Sequence, residues 1–520
     1  MRQNSRNWTV CYTLSLIGLT LFWASESFLI QASAFDGAPS NLHPVTYQII
    51  RFTLNLMTTG FILFVASRGW LIALAAADFL LSCAIIPYNH YFHHSLDVEM
   101  VRTADEGFHV VGFAFKEVAS WIWIALICAL ALKITWIYLV TPQPSFLRRR
   151  LAAACFGVEA MALVALQFTS FNIAHFRQES DNRAAYAYGY LNSWIGESLW
   201  GPDMSQVAAD LRKMQENSPD RLSATEGKWP LGSHIAVVQL ESVGWDVLNL
   251  KINGHEVTPY LNRLARLSRV FRIQAYHNVG SADMDYAVLS GGTPSPWVIS
   301  YEVPGLTYVN DLPHFMKKHG FHTVAFHGNS GSFFNRRPNY ARMGFDELCF
   351  KEDFAGRLGN TSSWGVRDGD IFQLSSEKMR QARGPEFHFL ITLDTHAPFD
   401  LIDDSEKEIF PHSAVWQENY FNSLRVLDHK LRDYVESLPN GTVVIFYGDH
   451  TAGVTYGDYH SDREGPAEFV PCIVYVCHGS DTWVAEADPP GELPKDLRVH
   501  DVINVLRHQL QNELAADSSK

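Results

Sequence analysis

The sequence predicts a multi-domain membrane protein with two main parts: an N-terminal bundle of five transmembrane helices, and a C-terminal α/β domain with a mostly parallel central sheet. The first part is indicated by five apolar segments before residue 175, which approach the length of about 20 residues that crosses a bilayer as a helix. The second is indicated by short apolar runs, starting at His234, that alternate with helical stretches.

The apolar segments define the predicted membrane domain. They are Val10–Leu29, Phe52–Ser67, Trp70–Pro87, Val118–Val140 and Leu151–Ile173. A cleaved signal peptide would give one such segment, so five segments indicate a domain that stays in the membrane. We assign residues 1–173 to this membrane domain, residues 174–230 to an amphipathic connector and residues 231–520 to the α/β domain.

Basic residues predict the orientation of the membrane domain, because cytoplasmic loops are enriched in lysine and arginine. Arg2 and Arg6 precede the first segment, Arg68 follows the second, and three arginines at 148–150 separate the fourth from the fifth. This pattern places the N-terminus in the cytoplasm. After five spans, the α/β domain then lies outside the cytoplasm.

Three charged residues, Asp78, Lys133 and Glu159, lie within or near the ends of the predicted spans. Charges at membrane depth are costly and often mark a function. The alternative is that the acids pack inside the bundle and that Lys133 extends its ammonium group to the interface. The sequence leaves both interpretations open.

The charge and the cysteine content argue against two classes of protein. The formal net charge is -14 and the pI is about 5.8, whereas a nucleic-acid-binding protein needs a basic face. Seven cysteines in 520 residues are too few for a disulfide scaffold. Cys472 and Cys477 are close enough in sequence to form a local bridge, but small buried side chains on a strand are the better interpretation.

Polar motifs follow four of the five strands predicted for the sheet. The strands are Ile235–Leu240, Thr323–Phe326, Phe387–Leu393, Thr442–Tyr447 and Phe469–Val476. The first four are followed by Glu241, by His327-Gly328-Asn329, by Asp394-Thr395-His396 and by Gly448-Asp449-His450. Because the carboxyl ends of parallel strands lie along one edge of a sheet, we expect these motifs to converge there.

Glu241, Asp449 and His450 are candidate metal ligands. An adjacent aspartate and histidine after a glycine offer an oxygen and a nitrogen to one cation, and Glu241 adds a third ligand. Three protein ligands leave one coordination position open, which is typical of catalytic rather than structural metal sites. The alternative for an acid at the end of a strand is a helix N-cap or a turn residue.

Ser281 is the candidate nucleophile. It lies in the stretch HNVGSADMDYAVLSGGTPSP at 277–296, in which Gly280 and Ser281 belong to a loop and Met284–Ser290 reads as a helix. A serine at a helix N-terminus has backbone N–H groups beside it, and contact with a metal would activate its hydroxyl. The structural alternative is that Ser281 is an N-cap, with Asp283 in the first turn of the helix.

Four further residues suit an anionic tetrahedral substrate. Arg336 can hold two phosphate oxygens or neighbouring hydroxyls with its guanidinium. His396 can hydrogen-bond to the transferred group or protonate the leaving oxygen. His327 and Asn329 can orient the substrate, although a structural role is at least as good an interpretation for these two residues.

In their order and spacing, these motifs resemble those of the sulfatase-like branch of the alkaline phosphatase superfamily, specifically the lipoteichoic-acid synthases and phosphoglycerol transferases. The matching pieces are VVQLES (237–242), GSADMDYAVLSGG (280–292), FHGNSGSFFNR (326–336), WGVRD (364–368), TLDTHAPF (392–399) and FYGDH (446–450). The resemblance covers nearly the whole chain. It implies a sulfatase-like, alkaline-phosphatase-like catalytic domain held outside the cytoplasm.

The resemblance also implies roles for individual residues. Glu241, Ser281, Asp449 and His450 would be the ligands of one divalent metal ion, and Ser281 would also be the nucleophile. Manganese is the metal that such enzymes commonly use, and the ligand types also suit magnesium or zinc. By the same resemblance, the headgroup pocket would be lined by three further residues, Arg336, Asn329 and His396.

The chain departs from the family at several positions. The lipoteichoic-acid synthases have a threonine as nucleophile where this chain has Ser281, and serine can perform the same chemistry. Asn329 and Phe334 replace an aspartate and a tryptophan of the pocket motif. The pattern that allows true sulfatases to form formylglycine is absent, because Ser281 is followed by ADMD. Hydrolysis of sulfate esters by formylglycine is therefore not expected.

The sequence thus predicts a multi-pass enzyme of the bacterial cytoplasmic membrane. It would transfer phosphoglycerol from phosphatidylglycerol, through a covalent Ser281 intermediate, to a hydroxyl of a cell-envelope glycan or glycolipid. Its partners would be the phospholipid donor and this acceptor, and no nucleic acid. Alternatives on the same fold are a phosphoethanolamine transferase and a phosphodiesterase or phosphatase. An alternative of another class is a membrane protein that binds a ligand without catalysis.

Overall fold

The computed structural model divides the chain into two compact units, Met1–Pro202 and Asp203–Lys520. The described residues are 10–23, 44–92, 118, 120–141, 146–169, 188–200, 203–217, 234–296, 298–309, 311–354, 365–461, 463–464, 467–477 and 497–517. Arg2, Arg6, the distal ends of the first and fifth predicted spans and most of the predicted connector lie outside the described residues.

The first unit is helical. Its described helices are α1 (Val10–Trp23), α2 (Pro44–Val65), α3 (Arg68–Phe92), α4 (Ser120–Leu139), α5 (Phe146–Leu166) and α6 (Tyr190–Trp200). They pack in pairs, with α2 against α5 and α3 against α4. Apolar residues dominate α3 and α4, and a helix satisfies its own backbone polar groups where a bilayer offers no water.

Two helices among the described residues are long and apolar enough to cross a membrane, namely Arg68–Tyr88 and Ser120–Leu139. Val10–Trp23 and Ala153–Leu166 are apolar but shorter. The second predicted span forms the distal part of α2, whose first half carries Gln48 and Arg51. Two helices thus have the length and composition of a span, and the bundle of five stays a prediction.

Charged residues on the apolar helices have partners within this unit. Lys133 Nζ lies 2.6 Å from Asp78 Oδ2, and Trp23 Nε1 donates a hydrogen bond to the same oxygen at 2.9 Å. The hydroxyl of Thr58 donates a hydrogen bond to the carboxylate of Glu159. Since an unpaired charge at membrane depth is costly, these contacts favour the interpretation that the acids pack inside the helical unit. Lys133 is itself buried and paired with Asp78, so it is not extended away from the unit.

The second unit is built on a mixed sheet of eight strands. The described strands are β1 (His234–Leu240), β2 (Lys251–Ile252), β3 (His255–Glu256), β4 (Arg269–Gln274), β5 (His322–His327), β6 (Glu347–Cys349), β7 (Glu386–Ile391), β8 (Val443–Gly448), β9 (Thr455–Tyr456), β10 (Tyr459–His460), β11 (Arg463–Glu464) and β12 (Ala467–Val476). The order in the main sheet is β11-β12-β8-β1-β7-β5-β6, and β4 also pairs with β12.

The central strands β1, β7 and β8 are buried along their whole length. Alternate side chains of β1 enter two different cores, with Ile235 and Val237 on one face and Ala236 and Val238 on the other. Strands covered on both faces have continuous apolar sequences rather than alternating ones. This explains why these strands could be recognised in the sequence.

The parallel arrangement predicted for the first four strands is confirmed. β1 pairs in parallel with both β7 and β8, and β5 pairs in parallel with β7. The fifth predicted strand, β12, is antiparallel to β8 and to β4. The sheet is therefore mostly parallel, with an antiparallel flank. The start of β12 consequently lies at the same edge as the carboxyl ends of the other strands.

Three strands of the main sheet, β4, β6 and β11, were not predicted from the sequence, and β11 has only two residues. β6 has three residues, too few for a periodic signal. β4 has the sequence RVFRIQ, and most of its residues are only half-buried. Such a strand carries too few apolar residues to be recognised as an apolar run.

Helices cover both faces of the sheet. The described helices of this unit are α7 (Met204–Glu216), α8 (Pro259–Arg266), α9 (Ala282–Ser290), α10 (Leu312–Lys318), α11 (Arg336–Arg342), α12 (Asp368–Gln381), α13 (Trp416–Ser437) and α14 (Val499–Asp517). α7 lies in the sequence assigned to the connector, but Val207 and Leu211 are buried in the core of the second unit. Gln215 Nε2 also donates to the hydroxyl of Tyr286 at 2.9 Å.

The cysteines agree with the interpretation chosen from the sequence. Cys472 and Cys477 are both buried, and neither of them forms a disulfide. Burial raises the pKa of the Cys477 thiol to about 12, and it raises the pKa of Cys472 as well. Both residues therefore act as small apolar side chains of the core.

Gly328, which follows β5, allows two backbone segments to approach closely, and its replacement should destabilise the second unit. A Cβ atom at this position would lie 2.2 Å from the carbonyl oxygen of Val366. We expect Gly328→Ala to lower the free energy of unfolding by about 1–3 kcal/mol, measured as a lower thermal midpoint of the full chain. The control is Gly369→Ala, whose Cβ would meet Lys430 side-chain atoms at 3.5 Å or more. Equal midpoints for the two variants would contradict this account.

Candidate active site

Glu241 lies at the carboxyl end of β1, and the neighbouring strand holds its backbone. The backbone N–H of Glu241 donates to Thr392 Oγ1 at 2.9 Å, and Thr395 Oγ1 donates to the carbonyl of Glu241 at 2.6 Å. The side chain is 3% exposed. These bonds fix a charged side chain in a buried position at the edge where the polar motifs of the sheet meet.

Ser242 connects the two acids of the site. Its hydroxyl donates to Glu241 Oε1 at 2.9 Å, and its backbone N–H donates to Asp449 Oδ1 at 2.8 Å. The residue has a φ of 56°, in the left-handed region that costs energy for a residue other than glycine. The hydroxyl of Tyr420 holds it there by donating to the Ser242 carbonyl at 2.9 Å.

His450 lies against both carboxylates. Its Nε2 is 3.2 Å from Glu241 Oε1 and 3.7 Å from Asp449 Oδ2. Its Nδ1 is 2.9 Å from the carbonyl of Thr451, so the ring is oriented with Nε2 toward the acids. The structure therefore brings Glu241 together with the adjacent residues Asp449 and His450, which follow it by about two hundred residues in the sequence.

The donor atoms of these three residues fit a divalent cation. They lie within 4.8 Å of one another, and they combine two carboxylates with one imidazole, a set that suits manganese, magnesium or zinc. Among the residues that the structure describes, no hydrogen-bond donor reaches the buried oxygen Asp449 Oδ2. A buried carboxylate oxygen without a donor is unfavourable, and coordination of a cation would satisfy it.

The pKa values within the cluster reflect its crowded charges. Burial and the repulsion from Glu241 raise the pKa of Asp449 well above its ordinary value. The two carboxylates overcome the effect of burial on His450 and raise its pKa to about 10. Burial would raise the pKa of Glu241, but His396 and His450 lower it well below its ordinary value. The cluster thus favours positive charge at its centre.

Ser281 immediately precedes α9, and it is half-buried. Gln239 of β1 holds its backbone, since Gln239 Nε2 donates to the Ser281 carbonyl at 3.4 Å, and Tyr447 in turn donates to Gln239. The Ser281 side chain makes no capping hydrogen bond. This argues against the N-cap alternative as the role of its hydroxyl.

The carboxylate of Asp283 shapes the loop that carries Ser281. It accepts hydrogen bonds from the backbone N–H groups of Asn278 and Val279, at 2.8 and 2.9 Å. Burial raises the pKa of Asp283 to about 7. Asp283 therefore stabilises the turn before α9, and the Ser281 hydroxyl is not needed to stabilise it.

Arg336 makes a buried ion pair with Asp285 of α9. Its Nε lies 3.1 Å from Asp285 Oδ2 and its Nη2 lies 3.2 Å from Asp285 Oδ1. Tyr340 donates a further hydrogen bond to this carboxylate. One edge of the Arg336 guanidinium is thus engaged within the protein, which leaves the N–H groups of Nη1 and the second N–H of Nη2 for other partners. This pairing was not predicted from the sequence.

His327 and Asn329 lie beside Arg336, at the end of β5. His327 Nε2 is 3.5 Å from Arg336 Nη1, and its Nδ1 is 3.3 Å from the carbonyl of Ile391. Burial and the charge of Arg336 lower the pKa of His327 to about 3, so the imidazole is neutral near pH 7. Asn329 is buried, and its Oδ1 accepts a hydrogen bond from the N–H of Ser330 at 2.7 Å.

Two further contacts relate these residues to the acidic cluster. A Cβ atom on Gly280 would lie 3.1 Å from the ring of Phe334, so the loop of Phe334 meets the loop of Ser281. His396, which is half-buried, lowers the pKa of Glu241 through its electrostatic interaction, and its Nδ1 is 2.6 Å from the Ala397 carbonyl. His396 therefore lies within electrostatic range of Glu241.

His277 and Glu468 adjoin the site but were not predicted from the sequence. The rings of His277 and His450 stack at a centroid distance of 4.1 Å. His277 Nδ1 is 3.3 Å from Glu468 Oε1, and Glu468 Oε2 accepts the N–H of Thr451 at 2.8 Å. His277 is the first residue of the stretch at 277–296 that contains Ser281, so its position in the sequence could have marked it as a site residue. Glu468 lies at the start of the antiparallel strand, where no motif pointed to it.

Residues 233–490 match the family model described as Sulfatase. This match agrees with the resemblance of the motifs to the alkaline phosphatase superfamily. The match includes every residue of the site described above. The α/β fold implied by the resemblance is therefore confirmed.

Two curated relatives are similar to this chain. The lipoteichoic acid synthase-like protein YvgJ of Bacillus subtilis is 29% identical over 248 residues, which cover 46% of this chain and 39% of the relative. The lipoteichoic acid synthase of Staphylococcus saprophyticus is 23% identical over 440 residues, which cover 78% of this chain and 66% of the relative. The chain thus spans between 39% and 66% of the length of these two relatives.

The fold is also similar to that of a solved membrane protein. The integral membrane protein lipooligosaccharide phosphoethanolamine transferase A (EptA) of Neisseria meningitidis aligns with a TM-score of 0.58 at 13% identity. The alignment covers 96% of this chain and 95% of that protein. At this identity, the likeness concerns the fold.

Removing the charge of Asp285 should strongly destabilise the second unit. We expect Asp285→Asn to lower the free energy of unfolding by about 3–5 kcal/mol, because it leaves the buried Arg336 without a counter-charge. Denaturant unfolding of the full chain would measure this. The exposed pair Arg212–Glu216 provides the control, since Glu216→Gln should change stability by less than about 1 kcal/mol. Similar losses for both variants would contradict the importance of the buried pair.

Proposed function

We propose that the protein transfers phosphoglycerol from the headgroup of phosphatidylglycerol, through a covalent ester on Ser281, to a hydroxyl of a cell-envelope glycan or glycolipid. The observation that carries this proposal is the buried cluster of Glu241, Asp449 and His450, at the same sheet edge as Ser281. Similarity to lipoteichoic acid synthases supports the choice of donor and acceptor.

Glu241, Asp449 and His450 would hold one divalent ion, with the Ser281 hydroxyl as its fourth protein ligand. When bound, the ion would supply positive charge for the phosphate oxygens and for the serine oxygen. The resemblance favours manganese, and the ligands also suit magnesium or zinc. Ser242 would keep both carboxylates aimed at one point, through its hydroxyl on Glu241 and its N–H on Asp449.

The reaction would proceed in two displacements at phosphorus. In the first, the Ser281 oxygen forms a bond to phosphorus and gives up its proton to solvent, while the bond to the diacylglycerol oxygen breaks. His396 would donate the proton that this leaving oxygen takes up. In the second, the acceptor oxygen bonds to phosphorus, the Ser281 ester breaks, and the acceptor proton passes to His396. Ser281 then regains a proton from solvent.

The residues beside Arg336 favour a glycerol headgroup over an ethanolamine headgroup. The imidazole of His327 is neutral, Asn329 carries an amide, and Asp285 already compensates the charge of Arg336. Neutral donors and acceptors suit the hydroxyls of glycerol. An ammonium group would need a carboxylate of its own, and the three pocket residues His327, Asn329 and Arg336 provide none.

The membrane unit would keep this site close to its lipid donor. The proposed organisation is a membrane domain at 1–173, a connector at 174–230 and a catalytic domain at 231–520 outside the cytoplasm. Helices Arg68–Tyr88 and Ser120–Leu139 are the two described spans that support anchoring. A donor that stays in the bilayer is presented at high local concentration to an enzyme anchored in the same bilayer.

Replacing Ser281 tests the covalent step. The full chain is placed in vesicles that contain headgroup-labelled phosphatidylglycerol, and the label on the protein and the diacylglycerol released are measured. We expect Ser281→Ala to abolish both signals and Ser281→Thr, which retains a hydroxyl, to keep a large share of them. Ser205 is exposed, so Ser205→Ala serves as the control and should leave the label on the protein and the diacylglycerol release unchanged. Intact turnover by Ser281→Ala would refute the proposed nucleophile.

The same vesicles decide the donor. Phosphatidylglycerol and phosphatidylethanolamine, each labelled in the headgroup, are offered together. We expect the phosphoglycerol label to accumulate on the protein and on the acceptor. A preference for the phosphoethanolamine label would overturn the proposed donor while leaving the two-step chemistry in place.

Ser242→Ala tests how the carboxylates are positioned. The variant removes the hydrogen bond to Glu241 and keeps the backbone bond to Asp449, so we expect manganese affinity to fall by roughly 10–100-fold. Calorimetric titration of the metal-depleted full chain measures the affinity without reference to activity. Ser437→Ala is the matched control, because its hydroxyl bonds to the carbonyl of Tyr434 near the end of α13. An unchanged affinity in Ser242→Ala would contradict this role.

A further inference from the structure

A cavity of about 370 Å³ opens beside the acidic cluster, and no residue of the proposed headgroup pocket lines it. Its lining residues come from the ends of β4 and α7, the loops around α9, the start of β12 and the residue before α14. The polar ones are Gln274, Tyr276, His277, Asn278, Thr293, Glu468 and Arg498, and the others are alanine, proline and methionine. The volume is within the range of small-molecule binding sites.

The position of this cavity follows from the order of the sheet. β12 pairs with β8 and with β4 through overlapping residues, so it lies between them. Along the edge, the sequence of strands is therefore β5, β7, β1, β8, β12 and β4. His327 ends β5 and Asn329 follows it on one flank, whereas Gln274 ends β4 and Glu468 lies at the start of β12 on the other. The acidic cluster lies between these two flanks.

One imidazole ring separates the cavity from the cluster. His277 lines the cavity and stacks on His450 at 4.1 Å. Glu468 also lines the cavity, and its carboxylate holds the N–H of Thr451, the residue after His450. Asn278 continues the lining three residues before Ser281, and its N–H is bound to Asp283. A ligand in the cavity would therefore lie next to the serine loop.

The polar groups of the cavity suit hydroxyls better than a lipid chain or a second phosphate. Its two formal charges, Arg498 and Glu468, have opposite sign. Arg498 lies over the Tyr276 ring at 4.3 Å and donates to the Ala275 carbonyl at 2.7 Å. Gln274 and Thr293 add an amide and a hydroxyl, which both donate and accept. A neutral ligand with several hydroxyls can use such a mixed set.

We propose that this cavity binds the acceptor of the transfer, as a neutral sugar or polyol whose hydroxyl points toward Ser281. The inference rests on the proposed function, because it assigns the second substrate of the same site. The headgroup stays on the flank of β5, and the acceptor enters from the flank of β12 and β4. The acceptor oxygen then bonds to phosphorus as the Ser281 ester breaks, with its proton passing to His396.

Filling the cavity tests the proposal. The full chain is placed in vesicles with headgroup-labelled phosphatidylglycerol, and methyl glucoside is added as a soluble acceptor. The ratio of labelled glucoside to labelled glycerol phosphate released into water is measured. Ala467→Leu should lower this ratio tenfold or more, because the larger side chain occupies the cavity. The control is Ala209→Leu on the exposed face of α7, which should keep the wild-type ratio.

A more conservative substitution tests the proposal if Ala467→Leu fails to fold. Thr293→Val keeps the shape of the side chain and removes its hydroxyl. We expect it to raise the KM for methyl glucoside roughly two- to tenfold, the effect of one lost hydrogen bond. Binding of methyl glucoside, measured by calorimetry without a donor, should weaken by a similar factor.

The outcomes separate this inference from the proposed function. If the wild-type protein cleaves the donor and both cavity variants keep the wild-type ratio and affinity, the acceptor binds elsewhere and the inference is wrong. If only labelled glycerol phosphate and no labelled glucoside forms at every glucoside concentration, the cavity binds no acceptor and the inference is likewise wrong. If wild type releases no diacylglycerol, the proposed function fails, and the calorimetric titration still decides whether the cavity binds a sugar.

Discussion

Two buried carboxylates, Glu241 and Asp449, are held side by side, and the arrangement around them depends on keeping them there. Burial, together with repulsion from Glu241, raises the pKa of Asp449 well above its ordinary value. Ser242 bonds to both acids while its backbone is in a left-handed conformation. Tyr420 holds Ser242 in turn. Like charges that are forced together in this way are typical of a site built for a cation.

The two carboxylates also explain the polar contacts around them. His450 balances part of the negative charge, and the stack with His277 and the bond between Glu468 and Thr451 fix the position of His450 from the other side. These residues come from β8, β12 and the loop after β4. The antiparallel direction of β12 is what brings its first residues to this edge, so the mixed topology of the sheet has a direct effect on the site.

The sequence predicted the parts of this molecule that have a local signal. Continuous apolar runs identified β1, β7 and β8, because both faces of these strands are buried, and the polar residues after them identified the acidic cluster. β4 and β6 lacked such a signal. The pairing of Arg336 with Asp285, across 51 residues, could not be predicted, because an ion pair leaves no pattern in one sequence. The direction of β12 was hidden for the same reason, since apolar runs do not encode strand direction.

The pairing of Arg336 with Asp285 also has an evolutionary consequence. It joins the loop after β5 to the helix that follows Ser281, with both charges buried. A lineage could replace either residue only by replacing both, since a single change leaves an uncompensated charge in the core. The two positions should therefore co-vary among homologues. The side chain of Asn329, by contrast, bonds to the adjacent backbone rather than to this pair, so the ion pair places no such constraint on that position.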